Sequence, residues 1–114
     1  MKIIKKPWGQ EEVLEKNKSY MLKRLTMNAG HKCSLQYHNK KTETIYVLFG
    51  KLIIYSGSTE NNLKSKVFNS GEIITIKPGL IHRMEAIEKS VYLEASTPEM
   101  DDVVRIQDDY SRIK

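Results

Sequence analysis

The sequence predicts an all-β domain in which short antiparallel strands form a sandwich or a barrel. Runs of β-branched and aromatic residues recur at near-regular spacing, and Gly, Pro, Asn and Ser turn signals separate them. The 114-residue chain has no convincing long helical pattern and no internal repeat. This combination is typical of one small β domain, which we predict to span residues 1–114.

Seven runs are predicted as strands from their β-branched and aromatic content. They cover residues 20–27, 44–49, 51–55, 64–68 (the weakest), 72–76, 82–87 and 90–95. The run before Gly50 and the run after it are contiguous, so we predict a hairpin that turns at this glycine. Pro78 and Gly79 end the run that precedes them, because proline cannot donate a ladder hydrogen bond.

The C-terminal segment, residues 98–114, has a different composition from the rest of the chain. It is polar and carries five acidic residues, Glu99, Asp101, Asp102, Asp108 and Asp109. Two interpretations stay open for it, a short helix or an ordered flap that closes over the barrel.

Charge and cysteine content narrow the function classes. The net charge is +5, with 19 Lys and Arg against 14 Asp and Glu. Scattered lysines indicate either a solvated surface or attraction for a small anion such as a phosphate or nucleotide sugar. No basic cluster is long enough for a nucleic-acid groove. We expect a cytoplasmic protein, since the chain has one cysteine, no signal-peptide pattern and no apolar run of membrane length.

Four side chains that can bind a metal lie on or next to predicted strands: Gln36, His38, Glu43 and His82. Gln36 and His38 share a face because they are two residues apart, and the polar break at residues 39–42 can bring Glu43 to the same side. Imidazole, carboxylate and amide oxygen suit zinc, manganese, iron or nickel. The alternative interpretation is two ordinary half-buried histidines and an exposed strand acid.

The order and spacing of these residues resemble the two cupin motifs. The matching patterns are Gly30-x5-Gln36-x-His38-x4-Glu43-x6-Gly50 and Gly71-x6-Pro78-Gly79-x2-His82, with Gln36 where many cupins carry histidine. Four further segments, residues 6–9, 34–38, 79–85 and 101–112, resemble the cupin domain of type II phosphomannose isomerases. The resemblance implies a single cupin barrel, a jelly roll of two antiparallel sheets.

The resemblance also implies residue roles. Gln36, His38, Glu43 and His82 would bind one divalent ion, with zinc preferred. Arg105 would clamp a phosphate or stabilise a developing enediolate, its alternative being an ion pair with Asp101 or Asp102. Glu94 would be the base or a hydrogen-bond partner of a ligand, and Lys23 would reach phosphate, its alternative being an ordinary solvated lysine.

Three departures from the family pattern surround the predicted metal ligands. Lys41 replaces an arginine, Thr44 a histidine and Ile45 a tryptophan. We predict that Lys41 contacts substrate, although an ammonium lacks the planar fork of a guanidinium. The changes point to a related site with a different substrate, or to reduced isomerase activity.

Three functions follow as hypotheses. The first is a metal-dependent, isomerase-like enzyme acting on a phosphorylated or nucleotide-linked sugar in polysaccharide biosynthesis. The second is a non-catalytic metal-containing module that binds or senses a sugar. The third is a cupin metal enzyme of another class, such as an oxygenase. A homodimer is expected, because a 13.2 kDa chain buries only a modest core.

Overall fold

The computed structural model describes residues 1–110, and these form nine antiparallel β-strands without a helix. The strands are β1 (Lys2–Lys6), β2 (Gly9–Lys16), β3 (Met21–Met27), β4 (Leu35–Tyr37), β5 (Glu43–Gly57), β6 (Lys64–Asn69), β7 (Ile73–Ile76), β8 (Ile81–Ser96) and β9 (Val104–Gln107). The predicted all-β class is confirmed. None of the described residues belongs to a helix able to cross a membrane.

Two long strands, β5 and β8, pair with each other along their whole length and belong to both layers of the barrel. One layer has the order β1-β2-β3-β8-β5-β7 and uses the C-terminal half of β8 and the N-terminal half of β5. The other has the order β9-β4-β8-β5-β6 and uses the opposite halves. The sheet is therefore continuous and curls on itself to enclose the interior.

The predicted hairpin at Gly50 is wrong. The chain continues through Gly50 within β5, and its direction reverses only between β5 and β6. Gly50 has a φ of +93°, and the pairing of β5 with β8 shifts register between Val47 and Leu52. The glycine thus marks a bulge that bends one strand from the first layer into the second.

Predicted and observed strands differ in two further ways. The predicted strands over residues 82–87 and 90–95 are one strand, β8, and the strand expected at Gln36 and His38 is the three-residue β4. Strands β1, β2 and β9 were not predicted. β9 lies in the C-terminal segment, which pairs with β4 and contains no helix in its described part. Residues 111–114 of the predicted 98–114 segment lie outside the described residues.

The core lies between the two layers. Its buried residues are Trp8, Leu25, Met27, Cys33, Ile45, Val47, Leu52, Ile54, Phe68, Ile76, Met84, Ala86 and Tyr92. Strand β3 shows how inward and outward side chains alternate along a strand. Every second residue is buried, and these inward residues are Met21, Lys23, Leu25 and Met27. An inward lysine is costly unless it is paired. Lys23 therefore marks the part of the interior where polar side chains lie.

Candidate metal centre

Three of the predicted ligands converge inside the barrel. His38 follows β4, Glu43 begins β5 and His82 lies near the start of β8. The Nε2 atoms of His38 and His82 lie 3.0 Å and 3.3 Å from the same atom, Glu43 Oε1. The three donor atoms lie within 4.8 Å of one another, and all three side chains are buried.

Hydrogen bonds to the backbone determine which nitrogen each imidazole presents to Glu43. His38 Nδ1 lies 2.6 Å from the Asp102 carbonyl oxygen, and His82 Nδ1 lies 2.9 Å from the Leu80 carbonyl oxygen. A carbonyl oxygen only accepts, so each Nδ1 must donate its proton. In the neutral rings both Nε2 atoms then carry lone pairs and face the carboxylate.

This arrangement needs a cation. Burial raises the pKa of Glu43, but the adjacent imidazoles of His38 and His82 and the charge of Lys41 bring that pKa well below its usual value, so Glu43 is an anion. His82 Nε2 lacks hydrogen-bond geometry to Glu43 and has no hydrogen-bond partner among the described residues. Three acceptors that face one point are stable only with a proton or a metal ion between them.

The geometry fits a metal ion. With metal–donor distances of 2.0–2.1 Å, tetrahedral ligand atoms lie roughly 3.3 Å apart. The separations of 3.0 Å and 3.3 Å around Glu43 Oε1 are close to that value. Two imidazoles and one carboxylate are also a donor set suited to zinc and to other first-row divalent ions.

Gln36, the fourth predicted ligand, lies beside this cluster. It pairs with His82 across β4 and β8, so the two side chains share the inner face of the sheet. Its amide Oε1 accepts a hydrogen bond of 2.6 Å from the Ser34 hydroxyl. Gln36 is therefore next to the cluster, with its oxygen held by Ser34.

A cavity of about 850 Å³ opens beside the cluster. His38, Glu43 and Gln36 line it, whereas His82 is fully buried and does not line it. The other predicted site residues also line it: Lys23, Lys41, Glu94 and Arg105. The structure therefore places every predicted site residue except His82 on one cavity wall.

Most charges on this wall are already paired. Lys23 Nζ lies 3.0 Å from Glu11 Oε1, and Lys41 Nζ lies 3.4 Å from Glu94 Oε2. Burial raises the pKa of Glu94 to about 8, aided by the charge of Glu43 and opposed by those of Lys41 and Lys23. Glu94 therefore retains a proton more readily than an ordinary glutamate.

Arg105 is an exception on this wall. It lies on β9 directly opposite Gln36 and lines the cavity, and its buried Nε has no hydrogen-bond partner among residues 1–110. The alternative ion pair with Asp101 or Asp102 is not found among the ion pairs of the described residues. A half-buried arginine whose buried Nε lacks an acceptor is suited to an anionic ligand.

Two residues that help to build the site were not identified from the sequence. Glu11 is buried on the unpredicted strand β2, where it neutralises Lys23. For Asp102, the sequence suggests only an ion pair with Arg105. Its carboxylate instead accepts hydrogen bonds from the backbone N–H groups of Asn39, Lys40 and Lys41. The Glu11 contact depends on the pairing of β2, which was not predicted, with β3, and the Asp102 contacts join segments distant in the sequence.

Comparison with known proteins identifies relatives over nearly the whole chain. The family model described as "Mannose-6-phosphate isomerase C-terminal" matches residues 1–108. The chain is 28% identical over 115 residues to the mannose-1-phosphate guanylyltransferase ManC of Salmonella typhimurium. That alignment covers 96% of this chain but only 23% of the relative, so the chain corresponds to under a quarter of that protein.

Solved structures share the fold at low sequence identity. The capsular polysaccharide assembling protein CapF of Staphylococcus aureus superposes with a TM-score of 0.80 at 16% identity, over 92% of this chain and 34% of CapF. An RmlC-like cupin of Shewanella frigidimarina superposes with a TM-score of 0.73 at 15% identity, over 88% and 86% of the two chains. The predicted cupin barrel is confirmed.

Proposed function

Because this chain belongs to the mannose-6-phosphate isomerase C-terminal family of cupin domains, we propose that it is a divalent-metal-dependent domain acting on a phosphorylated or nucleotide-linked sugar. The observation that carries the proposal is the convergence of His38 Nε2, His82 Nε2 and Glu43 Oε1 on one point. Gln36, next to them, would supply a fourth ligand after releasing Ser34. The ion, when bound, would polarise a sugar carbonyl.

The other cavity residues have roles that follow from their surroundings. Glu94 is buried with its pKa raised to about 8, which suits a group that takes and returns a proton near neutral pH. Arg105 would bind the phosphate or stabilise negative charge that develops on the sugar oxygens. Both residues line the same cavity as the metal cluster, so one small substrate can contact all three.

Metal content provides the first test. We expect the purified protein to bind about one divalent ion per chain, measured by elemental analysis after dialysis against zinc, manganese, iron or nickel. His82→Ala should lose this ion because it removes one of three convergent donors. His31→Ala is the matched control, since His31 is the remaining histidine and bonds Tyr110 instead. Equal metal content in the two variants would contradict the assignment.

Turnover provides the second test. The metal-loaded protein should interconvert mannose 6-phosphate or another aldose phosphate with its ketose, and Arg105→Met and Glu94→Gln should each reduce kcat/KM by at least about 100-fold. Thermal melting would verify that both variants are folded. No turnover with any candidate ion would exclude the isomerase.

The pairing of the lysines supports a second candidate, a non-catalytic module that binds a sugar. Lys23 is paired with Glu11 and Lys41 with the Glu43 carboxylate, so neither lysine is free to bind a phosphate together with Arg105. Calorimetry with sugar phosphates distinguishes the two candidates. Saturable, metal-dependent binding without turnover would identify the binding module.

A further inference from the structure

Lys41 lies between the metal cluster and Glu94, and its surroundings differ from those of a substrate-facing lysine. It is 5% exposed, although lysine is almost never fully buried unless it is paired. Its Nζ lies 3.7 Å from Glu43 Oε2 and 3.4 Å from Glu94 Oε2. The carboxyl groups of Glu43 and Glu94 therefore share one buried ammonium.

The contact divides the two oxygens of Glu43 between different partners. Oε1 faces the imidazoles of His38 and His82, while Oε2 faces Lys41. A carboxylate that had only the imidazoles as partners could rotate and present either oxygen. The ammonium removes that freedom by attracting Oε2.

The backbone of Lys41 and the imidazole of His38 are both bound by Asp102. The Asp102 carboxylate accepts from the Lys41 N–H at 2.9 Å, and the Asp102 carbonyl accepts from His38 Nδ1 at 2.6 Å. One residue of the C-terminal segment thus positions an imidazole and the lysine that faces Glu43. The lysine is fixed relative to the cluster at its backbone as well as at its ammonium.

We propose that Lys41 is a positioning residue that orients Glu43 for the divalent ion and thereby sets the affinity of the site for that ion. This role replaces the substrate contact predicted for Lys41 from the resemblance, and it rests on the proposed function. Groups that orient metal ligands typically change metal affinity by 10–100-fold when they are removed. A positive charge that did not contact Glu43 would only repel the metal ion.

The test compares Zn²⁺ affinity, measured by competition with a chromophoric chelator, in the wild type and three variants. Lys41→Met should weaken Zn²⁺ binding roughly 10–100-fold. Lys41→Arg should restore affinity to within a few-fold of the wild type, because a guanidinium can also hold a carboxylate oxygen. Lys23→Met is the charge-matched control: it removes a buried cation from the same cavity wall, but one paired with Glu11, and should leave Zn²⁺ affinity unchanged.

A spectroscopic measurement separates orientation from a general effect of charge. With Co²⁺ in the site, the ligand-field spectrum should change in Lys41→Met and stay the same in Lys23→Met. Unchanged or tighter Zn²⁺ binding by Lys41→Met, or equal weakening by Lys23→Met, would overturn the proposal. Should Lys41→Met not fold, Lys41→Gln takes its place under the same criteria. Failure of the wild type to bind Zn²⁺ or the other ions would refute the metal-dependent function itself, a distinct result.

Discussion

His38 and His82 show how single hydrogen bonds decide between a structural histidine and a metal ligand. An ordinary core histidine has both ring nitrogens satisfied by protein groups. Here each Nδ1 is satisfied by a backbone carbonyl, and each Nε2 faces Glu43 Oε1. This pattern favours ligands over core histidines, because it leaves the two remaining lone pairs directed at an anion.

Cys33 should be an unreactive thiol in the folded protein. It is 6% exposed, and burial raises its pKa to about 11. At pH 8, a disulfide-exchange reagent should react roughly 100-fold more slowly with the folded than with the unfolded chain, since the thiolate is the nucleophile. Equal rates would show that the site opens readily.

The same pKa affects stability at alkaline pH. The unfolded thiol, with a pKa of about 8.5, loses its proton before the folded one, so this group destabilises the fold as pH rises from about 8.5 towards 11. Cys33→Ala should lack this part of the pH dependence in urea denaturation. An identical slope in both proteins would contradict the assignment.

Asp102 should stabilise the fold through its carboxylate. Hydrogen bonds from the Asn39 and Lys40 N–H groups lower its pKa to about 2. Because the folded pKa is depressed, the contribution is present above about pH 3.8 and is lost as pH falls towards 2. Asp102→Ala should lower the urea midpoint at pH 7, and its difference from the wild type should shrink by pH 2. Asp101→Ala, next to it, should have little effect on that midpoint.

At the scale of elements, the bulge at Gly50 determines how β5 joins both layers. A Cβ at this position would lie 2.5 Å from the Lys89 carbonyl oxygen, and the φ of +93° already disfavours a side chain. Gly50→Ala should therefore lower the free energy of unfolding by roughly 2–4 kcal/mol. The measurement is urea denaturation.

Gly71→Ala is the control for this prediction. Gly71 also has a positive φ, +87°, but a Cβ there would meet nothing within 4 Å. Its cost should be about 1 kcal/mol, from the backbone conformation alone. Equal losses at the two positions would show that the close approach to β8 does not matter.

The elements also show what could be predicted from the sequence. The run that became β3 alternates strictly, so its strand and inward face follow from side-chain period. Gly50 suggested a hairpin because a positive-φ glycine serves turns and bulges equally, and only pairing with β8 separates the two. Gln36, His38, Glu43 and His82 could be named from spacing. Glu11 could not, because the strand that carries it was not predicted, and Asp102 could not, because its partners lie on a distant segment.

At the scale of the whole molecule, the outer face of the first layer exposes several large apolar side chains. One row of cross-strand neighbours crosses all six strands: Ile3, Glu12, Arg24, Leu93, Tyr46 and Ile73. Three of its four apolar members, Ile3, Tyr46 and Ile73, are 50%, 40% and 61% exposed. The charged members neutralise each other in a bidentate pair at 2.8 Å and 2.9 Å. Such a face is typical of protein–protein contacts.

The expected homodimer should use this face. A two-fold related copy would meet apolar side chains around an already neutral ion pair, so no unpaired charge would be buried. Light scattering coupled to size exclusion should give roughly twice the 13.2 kDa of one chain, and Tyr46→Glu should shift the mass to that of a monomer. Val67→Glu is the control, because Val67 is 43% exposed on β6 in the other layer and should leave the dimer intact. A monomeric wild type would refute the dimer, and dissociation by Val67→Glu alone would place the contact on the other layer.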